Sequence, residues 1–280
     1  MKIIEIINIF KKELENKNFD SPLLDCKILL SNILNIKVGD LVFYYQKQLD
    51  SEKFDKFKNM IQRRLNNEPV SKIINNKYFW DYNFYVDKNV LDPRPDSESI
   101  IELILEDYKN DEKLNILDLG SGSGCLIITL LKIFKNSNGL AIDISDKALE
   151  IVKKNAELLN IKNLDVLKSN WNDEISGKFD IIISNPPYIE TNEINNLSKD
   201  VKSFDPLLAL NGGLDGLDCY RYIAKNIKKN CKKNTKLYFE IGKGQETDVK
   251  NIFLNKGFKL FKIGKDLAGI ERVISFETNL

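Results

Sequence analysis

Two rhythms divide this chain. From Met1 to about residue 70, apolar side chains recur at three- and four-residue spacing, the period of helices that bury one face. Residues 1–15 read as one such amphipathic helix. Ser21-Pro22 predicts the start of the next, a capping residue followed by a ring whose missing N–H is harmless in the first turn. That helix carries Leu23, Leu24, Ile28, Leu30, Ile33 and Leu34, and further helices are expected over 38–45 and 51–65. Tyr78-Phe79-Trp80 and residues 82–86 then alternate like a hairpin. Asp92-Pro93-Arg94-Pro95-Asp96-Ser97-Glu98 holds too much proline for either element; it is expected to end in the cap of a helix over 100–108, with Arg94 either paired with Glu98 across the start, the favoured reading, or shaping a substrate entrance.

From Leu114 onward the second rhythm takes over. Short apolar runs alternate with helical stretches, the pattern of a doubly wound α/β sheet. Seven strands are expected, over 115–119, 139–143, 164–168, 179–184, 236–241, 259–263 and 272–276. Helices fall between them at 125–134, 145–159, 219–230 and 246–255. Too few residues separate the last two strands for a helix, so these should pair antiparallel. The expected organisation is a small helical domain over 1–72, a β-hairpin linker over 73–96 and an α/β domain over 97–280.

Composition narrows the chemistry. With 280 residues, 42% hydrophobic and 30% charged, the chain can bury one large core and a small second one. A net charge of +1 gives no broad attraction to nucleic acid. The lysines from Lys225 to Lys236 read as a solvated helix end. The sequence contains 0 histidines, which excludes Ser-His-Asp and Cys-His catalysis and histidine-based zinc sites. Cys26, Cys125, Cys219 and Cys231 form no Cys-x-x-Cys spacing and read as reduced thiols of a cytoplasmic protein. Glu5 interrupts the first apolar stretch, so no signal peptide is expected, and no run reaches membrane-spanning length.

The most informative tetrapeptide is Asn185-Pro186-Pro187-Tyr188, which leaves the apolar run 179–184. Two prolines fix two φ angles and remove two N–H donors, so the turn is stiff and its carbonyls stay free. Free carbonyls and an amide oxygen can hold a planar NH2 group by its two hydrogens while an aromatic ring covers its face. Upstream, Asp118-Leu119 leads into Gly120-Ser121-Gly122-Ser123-Gly124 and then a helix, a loop through which backbone can approach a ligand at a helix N-terminus. Asp143 ends the next strand, at the distance where an acid takes ribose hydroxyls. The third glycine falls at 124, not at the 125 of the dinucleotide fingerprint, and Asp118 would repel a pyrophosphate. The same carboxylate suits an ammonium or sulfonium group. S-adenosyl-L-methionine has both, plus an adenosine for Asp143 to hold and for Trp171 to pack against. Gly120–Gly124, Asp143, Trp171 and Asn185–Tyr188 all fall at the carboxyl ends of strands, where such sheets bind ligands.

Taken together these residues resemble the class I methyltransferases with an Asn-Pro-Pro-Tyr motif, and more narrowly the peptide chain release factor glutamine methyltransferases. The resemblance covers nearly the whole chain. It runs through Val90-Leu91-Asp92-Pro93-Arg94-Pro95-Asp96-Ser97-Glu98, Asp118–Gly124, Ala141-Ile142-Asp143, residues 184–189, residues 204–210, Phe239-Glu240-Ile241-Gly242 and residues 266–272. Asp92 stands where the family has an aliphatic residue, and Ser169-Asn170-Trp171 replaces a commoner Ser-Asp pair. The resemblance implies methyl transfer from S-adenosyl-L-methionine to the side-chain amide of glutamine in the Gly-Gly-Gln tripeptide of release factors. It implies cofactor contacts from Gly120, Ser121, Gly122, Ser123, Gly124, Asp143, Trp171 and Asn185, and substrate contacts from Asn185, Pro186, Pro187 and Tyr188. Asn185, Pro186 and Tyr188 would be the catalytic set, no metal would be needed, and the helical domain would recognise the substrate protein. A cytoplasmic monomer with no nucleic-acid or membrane partner is expected. Three other readings stay open: a ribosomal-protein glutamine, a DNA or RNA amino group, or a non-catalytic donor-binding module.

Overall fold

The computed structural model describes residues 1–266 and 268–278. Leu267, within one of the stretches that carry the resemblance, lies outside the described residues. The chain forms two compact units, Met1–Asn75 with Lys199–Phe204, and Asn76–Ser198 with Asp205–Leu280. Among the described residues no helix is long and apolar enough to cross a membrane.

The first unit contains α1 (Ile3–Glu15), α2 (Pro22–Leu34), α3 (Ser51–Leu65) and α4 (Val70–Ile74). Helix α1 buries Ile3, Ile6, Ile7, Phe10 and Leu14, the stripe that a 3.6-residue period places on one face. Phe10 meets Phe57 of α3 edge-on, with ring centroids 5.4 Å apart. Each such side chain removed from water contributes about 1.5–3 kcal/mol. Helix α2 does begin at Pro22, but Ser21 makes no side-chain capping bond, whereas Asp50 caps α3 by accepting from the Lys53 N–H at 2.8 Å. The helix expected over 38–45 is instead a tighter 3-10 segment, Val38–Tyr44.

The second unit opens with a hairpin, β1 (Lys77–Phe79) and β2 (Tyr82–Phe84), followed by α5 (Glu98–Asp107). Then come β3 (Asn115–Leu119), α6 (Cys125–Ile133), β4 (Asn138–Asp143), α7 (Asp146–Leu158), β5 (Leu164–Lys168) and β6 (Phe179–Ser184). After α8 (Lys199–Phe204, part of the first unit) follow α9 (Asp218–Asn226), β7 (Cys231–Glu240), α10 (Glu246–Leu254), β8 (Phe258–Lys265) and β9 (Glu271–Thr278). The seven-stranded sheet has the order β5-β4-β3-β6-β7-β9-β8. Five strands are paired in parallel, and β9 alone is reversed, lying antiparallel between β7 and β8, as the short connection requires.

Strand alternation builds a core on each face. Ile181 and Ile183 of β6 pack in one cluster with α6, while Ile182 packs in the other with α9; Phe179 joins Ile182 there, out of step with the alternation, next to a register irregularity. Strand β7 begins at Cys231, earlier than the 236 expected, and its register with β6 shifts between Phe179 and Ile181. Thr235 stabilises the irregularity by donating to the Phe179 carbonyl at 2.5 Å. The helix expected over 219–230 ends at Asn226 and tightens into a 3-10 turn, Ile227–Asn230. Winding reverses between β3 and β6, so the loops after these strands splay apart and leave a crevice at their carboxyl ends.

Candidate active site

A cleft of about 250 Å³ opens at that crevice. Gly120, Gly122 and Gly124 take φ values of +70°, +55° and +78°, a left-handed run that side chains resist. The run turns the chain from β3 into α6. Its register is fixed by Ser121 N–H on the Ile142 carbonyl at 2.8 Å and Gly122 N–H on Asp143 Oδ2 at 3.0 Å. Asp143 Oδ1 accepts from the Ser145 N–H at 2.9 Å. Asp143 thus ties the glycine loop, through Oδ2, to the start of α7, through Oδ1, and its carboxylate keeps acceptor capacity for a ligand.

Gly120, Ser121, Gly122, Ser123, Asp143, Trp171, Asn185 and Pro187 line the cleft. Three other predicted residues do not. Gly124 packs inside: a Cβ there would lie 3.1 Å from Ile128 and 3.2 Å from Val152, so its smallness lets α6 sit close to α7. Pro186 is buried as a residue, and among the described residues no donor reaches its carbonyl, which stays free to accept. Tyr188 turns inward, its hydroxyl 3.2 Å from Glu240 Oε1. Burial and the neighbouring Glu240 charge hold that phenol well above its ordinary range.

Asp118 also lines the cleft and is the most unusual group in it. It is 1% exposed, and neither carboxylate oxygen has a hydrogen-bond partner. Burial, reinforced by the charge of Asp143, pushes it up to about 8. An unpaired buried carboxylate costs several kcal/mol unless a cation or donor meets it. The Trp171 ring lies over Gly120, 3.4 Å from where a Cβ would stand, with Trp171 itself at φ +52°. So bulky a residue in the left-handed region is strained, and strain of this kind collects at functional sites.

On the opposite wall, Asn185 Nδ2 donates to Ser97 Oγ at 3.0 Å, across 88 positions of sequence. Ser97 in turn donates to Glu240 Oε2, across 143 positions. Glu240 is 1% exposed and is pushed up to about 7 by burial, against the pull of its bonds with Ser97 and Tyr188. Ser97 was expected near a helix cap; its hydroxyl is used here instead. The Arg94–Glu98 pair does not form. Arg94 holds Asp205 at 2.7 Å, and Glu98 accepts the Trp80 N–H at 2.7 Å. Asp92, unusual for its position, is met by Lys77 at 3.1 Å.

Sequence reasoning singled out neither Ser97 nor Glu240 as a site residue. A signal existed in each case. An acid ends the otherwise apolar Leu237-Tyr238-Phe239-Glu240, and Ser97 closes a stiff proline segment.

Comparisons with known proteins agree with this architecture. Residues 94–203 match a family model described as the methyltransferase small domain, and residues 5–74 match the PrmC N-terminal domain. A release factor glutamine methyltransferase of Agrobacterium fabrum is 35% identical over 271 residues, covering 95% of this chain and 94% of that protein. The chain belongs to the release factor glutamine methyltransferase family. A second relative in that family, from Thermodesulfovibrio yellowstonii, is 36% identical over 94% of this chain and 95% of its own length. A bifunctional methyltransferase of Rickettsia conorii is 35% identical over 98% of this chain, which spans only 57% of that longer protein. Among solved structures, a methyltransferase from Pyrococcus furiosus shares the fold with a TM-score of 0.55 at 16% identity, covering 80% of this chain and 100% of that one. The matched methyltransferase region, residues 94–203, thus spans β3 to β6 and carries Asp118, Asp143, Trp171 and Asn185, while Glu240 and the cleft-lining Pro206, Leu208 and Cys219 follow it in the chain.

Proposed function

We propose that this enzyme methylates the side-chain amide nitrogen of the glutamine in the Gly-Gly-Gln motif of peptide chain release factors, with S-adenosyl-L-methionine as methyl donor. The observation that carries the reading is one cleft with two complementary demands. Asp118 lacks a cation, and Asn185 presents an amide whose nitrogen is already taken by Ser97. The names of the Agrobacterium and Thermodesulfovibrio relatives support release factors as substrate.

The cleft fits the donor. The orphaned Asp118 carboxylate would meet its cationic end, the remaining lone pairs of Asp143 its ribose, Trp171 its base, and the Gly120–Gly122 backbone its close approach. When bound, S-adenosyl-L-methionine supplies a sulfonium-borne methyl group. The chain's own residues do the rest. Asn185 Oδ1, free of protein partners, accepts one N–H of the substrate amide, and the Pro186 carbonyl accepts the other. Both acceptors draw positive character onto hydrogen and leave electron density on nitrogen, countering its delocalisation into the carbonyl. Each bond strengthens as nitrogen becomes cationic, which is where stabilisation raises rate. The proline turn fixes the acceptors beforehand, so little reorganisation accompanies the reaction. Tyr188, tied to Glu240, and Pro187 keep the turn in place. An N-methylated amide cation is strongly acidic and gives its proton to water, so no histidine is required.

The test is transfer of a labelled methyl group to purified release factor, ribosomal protein and DNA. Label on the Gly-Gly-Gln glutamine, lost when that glutamine is replaced by alanine, is the expected result. Label on nucleic acid or ribosomal protein alone, or on nothing, overturns the reading.

A further inference from the structure

Turning an asparagine amide through half a rotation swaps an acceptor for a donor with almost no change of shape. Shape therefore cannot tell Asn185 which atom to show the cleft; only hydrogen-bond polarity can. We infer that Glu240 is a positioning residue that acts through the Ser97 hydroxyl to hold the Asn185 oxygen toward the cleft. The inference deepens, and rests on, the amide-binding role proposed for Asn185.

The geometry leaves one consistent arrangement. Ser97 Oγ stands between Asn185 Nδ2, at 3.0 Å, and Glu240 Oε2. Ser97 is 3% exposed and Glu240 1%, so solvent does not compete for these bonds. A hydroxyl has one hydrogen. Given to a carboxylate, it leaves Ser97 able only to accept, so Asn185 must turn its NH2 to Ser97 and its oxygen to the cleft. A proton on Glu240 removes that constraint. The acid can then donate to Ser97, Ser97 can donate to the Asn185 oxygen, and the reversed amide would present N–H groups to a substrate that itself brings an NH2. Two donors facing each other cannot bond.

Several groups surround Glu240. Its other carboxylate oxygen accepts from Tyr188, and Tyr220 donates to its backbone carbonyl at 2.7 Å. The charge of Asp96, ahead of α5, raises it, and Arg272, on β9, lowers it. Arg272 is itself shared with Asp96 at 3.3 Å and Asp266 at 3.1 Å. Burial outweighs these charges and places the proton's departure at about 7. The amide thus has its productive polarity above that pH and loses it below.

The experiment combines kinetics on the full chain with nitrogen NMR of the Asn185 side chain in the free protein. Glu240→Gln, which can donate to Ser97, and Ser97→Ala should each lower kcat about 10²-fold while the dissociation constant of S-adenosyl-L-methionine moves less than about threefold. Ser97→Thr, which keeps a hydroxyl, should recover at least about tenfold of the loss seen in Ser97→Ala. Wild-type kcat should rise with pH through about 7, and that limb should vanish in Glu240→Gln. In the free wild-type protein the Asn185 NH2 resonance should shift across the same pH range. Wild-type turnover in Glu240→Gln, or an Asn185 resonance indifferent to pH, overturns the inference. Should no release factor be methylated at all, the proposed function fails by itself, while the resonance still decides whether Glu240 governs Asn185.

Discussion

The two walls of the cleft are each built around a buried carboxylate, and the fold treats the two in opposite ways. Asp118 and Glu240 are equally inaccessible, at 1% exposure, and both are displaced upward, to about 8 and about 7. Glu240 has protein hydroxyls on both oxygens, from Ser97 and Tyr188; Asp118 has none. A satisfied buried acid orders its neighbours, and an unsatisfied one requires something from outside. The donor wall is therefore incomplete until a cation arrives, whereas the amide wall is already arranged around its own internal network.

The largest consequence of that contrast concerns Asn185. Because the amide wall is preorganised for chemistry, Asn185→Ala should lower kcat by about 10²-fold or more. Donor affinity should change little, because Asp118, Asp143 and Trp171 remain. Calorimetry with S-adenosyl-L-methionine alongside single-turnover methyl transfer separates the two quantities. Equal losses in affinity and turnover would erase the distinction between the walls.

The same contrast explains what could be read from the chain. The donor wall is nearly local: β3, three left-handed glycines and the acid ending β4 follow one another, and their spacing was legible. The amide wall joins Ser97, Asn185 and Glu240 from three distant segments. Asn185 and Glu240 become neighbours because Ser184 pairs with Phe239 between β6 and β7. That register depends on the irregularity near Phe179, and nothing in either strand alone announces it. Periodicity also cannot separate an α-helix from the 3-10 segment Val38–Tyr44, since both bring residues three apart onto one side. The lysines from Lys225 to Lys236 read as a solvated helix end, yet from Cys231 onward the stretch is the start of β7.

Asp118→Asn removes the charge on which the donor wall is built. The expected loss of donor affinity is about tenfold, the scale of one charge-assisted contact. Stability supplies an independent sign. The ordinary Asp value is 3.8 and the folded one about 8, so the free protein favours the protonated form. Its contribution to stability is fully present below about 4 and is lost as pH rises through about 8. Glu240 pulls the same way over a range ending near 7 and does so in both proteins, so it cancels in their difference. Relative to wild type, the donor-free variant should therefore gain thermal stability steadily from pH 4 to pH 8. A stability difference that stays flat across that range would mean that Asp118 is not the strained acid described here.

The smallest expected effect tests the donor wall from its other side. Trp171 sits at φ +52°, where a bulky residue is strained by about 1–2 kcal/mol, and only its contacts hold it there. Its ring covers Gly120 and lines the cleft. Trp171→Gly relieves the backbone but removes the ring, so the two consequences should separate. Unfolding stability should fall less than the loss of an aromatic side chain ordinarily costs, because the strain disappears with it. Donor affinity should fall about three- to tenfold, the worth of one aromatic packing contact, with turnover at saturating donor falling far less than in Asn185→Ala. Equilibrium binding and thermal melts of the same variant measure both. An affinity equal to wild type would leave the left-handed Trp171 without a ligand to explain it, and would shift the donor wall onto Asp118, Asp143 and the glycine loop alone.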